Sequence, residues 1–191
     1  MQTDLTPGFA DPVAGAQATF RAVLAAFSRP GSLHRAGTGL PAPAPLQPAA
    51  AALLLTLVDA DTALFLHDDF AAVRDWAGFH CGAPFAPAAE AGFLLTPELP
   101  DLAGLPSGTD ETPEEAATVI VQLPALGTGA RYRLAGPGLA APAEFAATGL
   151  PADFAARWAA NRAGFPCGVD LILCAGDMLA ALPRSVSIEE V

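Results

Sequence analysis

Val169-Asp170-Leu171-Ile172-Leu173-Cys174 is an apolar run that reads as a central strand. Ala175-Gly176-Asp177 turns it into a second apolar segment, Leu179–Leu182. Just upstream, residues 151–163 have the spacing of a helix, with Phe154 and Trp158 inward and Arg157 and Arg162 outward. Gly136-Pro137-Gly138 is a tight turn, which Pro137 stiffens while removing one backbone donor. Thr118–Leu123 is strongly β-forming, and Gly127-Thr128-Gly129 is expected to fold it onto Arg131–Ala135 as a hairpin. Residues 97–114 hold five acidic residues and four prolines among glycines, the composition of a long surface loop.

The N-terminal half adds helices. Residues 11–28 carry Asp11 at an N-cap and Pro12 at the first helical position. Val13, Ala16, Phe20, Val23, Leu24 and Phe27 recur at helical spacing and predict one buried apolar face. Arg29-Pro30-Gly31 stops that helix. Residues 41–48 form an extended linker into a second helix, 48–58, apolar nearly all round and so expected to be buried. Thr62–His67 and Gly92–Thr96 read as short strands. Residues 69–78 read as a third helix carrying Phe70, Val73 and Trp76 on one side. No fixed-period repeat or composition break divides the chain, so residues 1–191 are expected to form a single α/β domain with a mixed sheet.

Composition excludes several classes. The 191 residues are 52% hydrophobic and only 15% charged, against a usual charged share of about 25%, so disorder is not the native state. All nine basic residues are arginine, there is no lysine, and the formal charge is −11. The mean field repels nucleic acid and anionic membrane surfaces. Without lysine there is neither a Walker-type phosphate loop nor an aldimine with pyridoxal phosphate, and no cofactor is expected. Met1-Gln2-Thr3-Asp4 lacks a basic-then-apolar signal, and Ala49–Leu55 is far shorter than the ~20 residues of a membrane span. Cys81, Cys167 and Cys174 form no CxxC, which fits reduced thiols in the cytoplasm.

Chemistry-bearing constellations are sparse. His34, His67 and His80 lie far apart without HxH, HExxH or paired-cysteine spacing, so no metal site is expected. Cys81 has His80 beside it, but adjacent residues of a helix or strand point apart. There is no GxSxG. Gly136-Pro137-Gly138 does not have GxGxxG spacing, and the acidic loop 98–115 reads as solvated. Arginine remains for anion handling, since its fork matches phosphate and phosphonate oxygens. Arg29 beside a Pro-Gly turn and Arg184 after Pro183 could each face a cleft, or could bond local carbonyls or an acidic neighbour.

A set of ordered phrases carries a resemblance. They are Gly8-Phe9, Asp11-Pro12-Val13, Ala16-Gln17, Phe20-Arg21, Ser28-Arg29-Pro30-Gly31, Leu53–Asp59 with Asp61-Thr62, and Phe79-His80. Gly108, Pro113-Glu114, Ala117–Ile120, Leu134–Gly138, Phe165-Pro166, Gly168–Leu173 and Leu182-Pro183-Arg184 follow. Taken together from Gly8 to Arg184 they resemble the PhnH family, the H subunits of the carbon–phosphorus lyase core complex of phosphonate metabolism. The departures are alanine-rich spacers and Cys81 after His80.

The resemblance implies an α/β/α sandwich like that of pyridoxal-phosphate transferases of the aminotransferase type, without the cofactor. It implies a place in the α-D-ribose 1-methylphosphonate 5-triphosphate synthase reaction, in which a phosphonate displaces adenine from ATP. A radical iron–sulfur partner later breaks the C–P bond. Implied partners are subunits G, I and J, with a homodimer when alone. The family supplies no assured catalytic residue. Arg29, His80 and Arg184 lie in matching phrases and are the candidates for binding a nucleotide or phosphonate. Three readings stand: a scaffold subunit, a subunit that itself holds ATP or phosphonate, or a self-sufficient thiol enzyme using Cys81, Cys167 or Cys174. The low charge fits a chain that shares apolar surface with partners.

Overall fold

The computed structural model describes residues 6–191; the reading of Met1–Asp4 lies outside them. Asp11 caps the first helix as expected. Its carboxylate accepts from the Val13 and Ala14 N–H groups at 3.1 and 3.0 Å, and α1 runs Pro12–Ser28. A two-residue strand, β1 (His34–Arg35), precedes helix α2 (Pro48–Leu57), in which Ala49 to Leu54 are fully buried. Strand β2 (Leu64–Leu66) leads into a 3-10 turn over Asp68–Val73 and then α3 (Arg74–Cys81). The single helix expected over 69–78 is thus two segments, with Phe70, Val73 and Trp76 buried as anticipated. Strands β3 (Phe93–Thr96), β4 (Thr118–Gln122), β5 (Ala125–Ala135) and β6 (Ala143–Thr148) follow. Helix α4 (Phe154–Ala163) then precedes β7 (Asp170–Ala175), β8 (Met178–Leu182) and β9 (Ser187–Glu190).

Six strands form one mixed sheet in the order β1-β8-β7-β4-β3-β2. β2, β3, β4 and β7 are mutually parallel, while β8 runs antiparallel to β7 and β1 to β8. The interior of this sheet reads as continuous apolar sequence because both faces are covered, as parallel sheets require. One face carries Leu95, Ile120, Ile172 and Cys174 against α1, α2 and α3. The other carries Leu94, Val119, Val121, Leu171 and Leu173 against Tyr132, Phe145, Phe154 and Trp158. That second layer is a three-stranded antiparallel sheet, β6-β5-β9, with α4. The α/β class and the mixed sheet hold. The outer layer on this side is largely β, so the two flanking layers are not both helical, as a sandwich of α/β/α type requires.

Two expectations are corrected. β4 does not form a hairpin with Arg131–Ala135. Val119 to Val121 are buried on both faces, and such a strand takes neighbours on both edges, here parallel β3 and β7. The chain leaves the sheet at Leu123-Pro124, and Arg131–Ala135 pairs with β6 and β9 in the other sheet. The second correction concerns α1. Val23 and Ala26 are buried with Thr19, and Phe27 is half-buried, but Val13, Phe20 and Leu24 are 69%, 48% and 53% exposed. The helix carries two apolar stripes. The narrow one, Thr19-Val23-Ala26, lets α1 approach α2 and β8 closely and takes the interior place.

Candidate functional site

Asp170 is the one charged residue in the apolar β7 run, at its first position, and Arg184 follows the end of β8. The antiparallel register brings them together. Arg184 Nη2 donates to Asp170 Oδ2 at 2.7 Å and Nε to Oδ1 at 3.2 Å. The Arg184 backbone N–H also reaches Oδ1 at 2.7 Å. Nη1 donates to the Pro113 and Pro166 carbonyls at 2.8 and 3.3 Å. The side chains are only 13% and 20% exposed, so this is a nearly dry, bidentate pair. Its guanidinium ties the 3-10 turn at Pro113–Glu115, the Pro166 turn and β7 into one corner.

His80 sits on α3 with its Nε2 3.1 Å from the Thr6 carbonyl, a contact that places the ring proton on Nε2. Trp76 Nε1 donates to the same carbonyl at 2.7 Å, and the two rings stand 4.9 Å apart. The pair therefore pins the segment entering α1. Arg29 is the C-cap of α1, and its guanidinium lies at the surface. Its carbonyl accepts from Ser32 Oγ at 2.6 Å, and that hydroxyl lies 2.8 Å from His34 Nε2. Burial, helped by the Arg29 charge, holds the His34 pKa below the usual imidazole range. No hydrogen bond, ion pair or ring contact joins any two of Arg29, His80 and Arg184 among the described residues.

The thiols are poorly set for attack. Burial pushes Cys81 up to about 11 and Cys174 up to about 12. Cys167 is also raised, by partial burial and then by the Asp110 carboxylate 3.7 Å away. A thiol held protonated is a weak nucleophile. No group of three or more His, Cys, Asp or Glu is placed to hold a metal ion among the described residues.

Open α/β sheets usually receive ligands at the carboxyl ends of their parallel strands. Here that crest is bridged by side-chain amides. The Gln47 N–H donates to Gln122 Oε1 at 2.8 Å, and Gln122 Nε2 donates to the Pro45 carbonyl at 3.0 Å. The Gly176 N–H donates to Gln47 Oε1 at 2.6 Å. Beside them Asp177 accepts from Thr38 Oγ1 at 2.9 Å and from the Arg35 guanidinium, and these bonds lower its pKa. The surface also carries several depressions. A cleft of about 350 Å³ lies between Gly31, Leu33, the Gly127–Gly129 bulge, Arg131 and Glu144. A groove of about 690 Å³ runs between Phe9, Thr19, Arg35, Thr38 and Leu40. Arg35 and Arg131 escaped the sequence reading because no neighbouring motif marks them. Of the two readings open for Arg184 in the sequence, the structure realises the bonds to an acidic neighbour and local carbonyls, while the identity of the partner, Asp170, was not marked there.

Fold and site together define a mixed α/β protein in which Arg184 and His80 are engaged internally and the first helix leaves an apolar stripe exposed. Comparison with known proteins identifies its family. Residues 7–189 match the family model of the bacterial phosphonate metabolism protein PhnH. The chain is 37% identical over 187 residues to the α-D-ribose 1-methylphosphonate 5-triphosphate synthase subunit PhnH of Rhizobium meliloti (strain 1021), covering 95% of this chain and 94% of that one. It is 33% identical over 174 residues to HtxG of Stutzerimonas stutzeri, whose name assigns it to a C-P lyase as a subunit, covering 90% and 85%. The chain belongs to the PhnH family.

Proposed function

We propose that this chain is a structural subunit of a carbon–phosphorus lyase core complex. In this role it supports transfer of a phosphonate to the ribose of ATP with release of adenine, the α-D-ribose 1-methylphosphonate 5-triphosphate synthase reaction, in the cytoplasm. Its partners are subunits G, I and J, and alone it forms a homodimer. The observation that carries the reading is the near full-length likeness to a synthase subunit. The engagement of Arg184 by Asp170 and of His80 by Thr6 supports an architectural role for both residues. The raised thiol pKa values argue against a self-sufficient thiol enzyme.

The test is co-expression of the tagged chain with G, I and J, followed by assay of adenine release from ATP and methylphosphonate. The expected result is that the chain co-purifies with its partners, that activity requires them, and that the chain alone releases no adenine. Turnover by the isolated chain would overturn the reading. A second reading, direct binding of nucleotide or phosphonate by this chain, is favoured by one observation: the Arg29 guanidinium is exposed and makes no ion pair among the described residues. Calorimetric titration of ATP and methylphosphonate into the wild type and Arg29→Ala separates the two.

A further inference from the structure

The uncovered stripe of α1 runs through Val13, Gln17, Phe20 and Leu24, at spacings of four, three and four residues. This is the seam by which one helix receives another, with knobs entering holes. It is about 16 Å long at ~1.5 Å per residue. Three large apolar side chains on one seam exceed the scattered exposure that needs no explanation. The flanks are distinctive in charge. The molecule carries −11, yet Pro12 to Ser28 contains no acid, and its one charged residue is Arg21. Arg29 caps the far end, and the acid nearest in sequence, Asp11, is occupied as the N-cap.

Resting on the subunit reading above, we propose that this face receives an amphipathic helix of another subunit of the assembly. That helix presents an apolar stripe to Val13, Phe20 and Leu24 and carboxylates to Arg21 and Arg29. A second copy of this chain fits less well. In a two-fold pair centred near Phe20, Arg21 approaches its own copy, and no acid of the helix interior offsets the repulsion. A seam three turns long also falls short of the roughly 800 Å² per partner of a stable stand-alone interface. It suits an anchor within a larger contact.

The test compares the wild type with Phe20→Glu/Leu24→Glu and with Arg21→Glu, each co-expressed with G, I and J. Partner yield and affinity for the purified partner assembly are measured at low and high salt. All three positions are solvent-exposed, so circular dichroism and melting are expected to be unchanged. Phe20→Ser/Leu24→Ser serves if the glutamates disturb the helix. Loss of the two anchors is expected to weaken binding about thirtyfold, as for central interface residues. Arg21→Glu is expected to weaken it further than high salt does. Undiminished capture by the Phe20/Leu24 variants, or unaltered affinity of Arg21→Glu, overturns the proposal. So does conversion of the lone chain from dimer to monomer by the same variants, which gives the face to a second copy. Failure of the wild type to capture any partner instead sinks the subunit reading itself.

Discussion

Replacing Arg184 by methionine tests whether this residue is a clamp or a ligand-binding group. The substitution keeps the aliphatic stem and deletes four guanidinium hydrogen bonds: two to Asp170, one to Pro113 and one to Pro166. Asp170 keeps the Arg184 backbone N–H but loses its counter-charge in a corner where the two side chains are only 13% and 20% exposed. Breaking a buried pair costs about 3–5 kcal/mol, and residual water access here favours the lower end, about 3 kcal/mol. For a chain of this size that corresponds to a fall in Tm of about 6–12 °C. Asp170→Asn/Arg184→Met is expected to lose less than the sum of the two single changes, because each single variant already removes the shared interaction. Urea unfolding and calorimetry on the four proteins measure the cycle. If Arg184→Met is within about 0.5 kcal/mol of the wild type, the size of an unremarkable surface change, while the assembled complex loses activity, the clamp assignment is wrong.

Three further outcomes follow from the geometry. Alkylation near pH 8 is expected to reach Cys167 slowly and first, with Cys81 and Cys174 reacting only after denaturation; mass spectrometry reads the order. His34 is held below its unfolded pKa, so the folded state favours the neutral ring. Its contribution to stability is complete above about pH 6.5 and declines as pH falls toward the lowered folded value. His34→Asn is expected to flatten that part of a stability-versus-pH profile. Gly138 has φ +85°, and a Cβ there would press on the Ser28 carbonyl, so Gly138→Ala is expected to cost at least the ~1–2 kcal/mol of a left-handed non-glycine residue. An unchanged Tm would contradict that account.

Elements with a strong local signal were legible in the sequence. Asp11-Pro12 marked the start of α1, and the runs at Val169–Cys174 and Leu179–Leu182 marked the antiparallel pair β7 and β8. What escaped was decided by tertiary contact. β6, with three alanines in six residues, has little β propensity and forms because β5 offers it an edge. β1 and β9 are short and take their conformation from β8 and β5. The choice between the two stripes of α1 depends on how closely α2 and β8 approach, which helical periodicity does not encode. Arg184 was singled out as an anion candidate, yet its partner, fourteen residues earlier, is set by the β7–β8 register.

The Gln47–Gln122 bridge has a consequence of its own. Carboxamides neither titrate nor attract counterions, so a latch made of them is indifferent to acidity and ionic strength. The neighbouring Arg35–Asp177 contact is different: as pH drops through the depressed Asp177 value its charge is neutralised, and added salt screens it. Acid or brine should therefore loosen the rim at Arg35 while the crest of the parallel strands stays fastened.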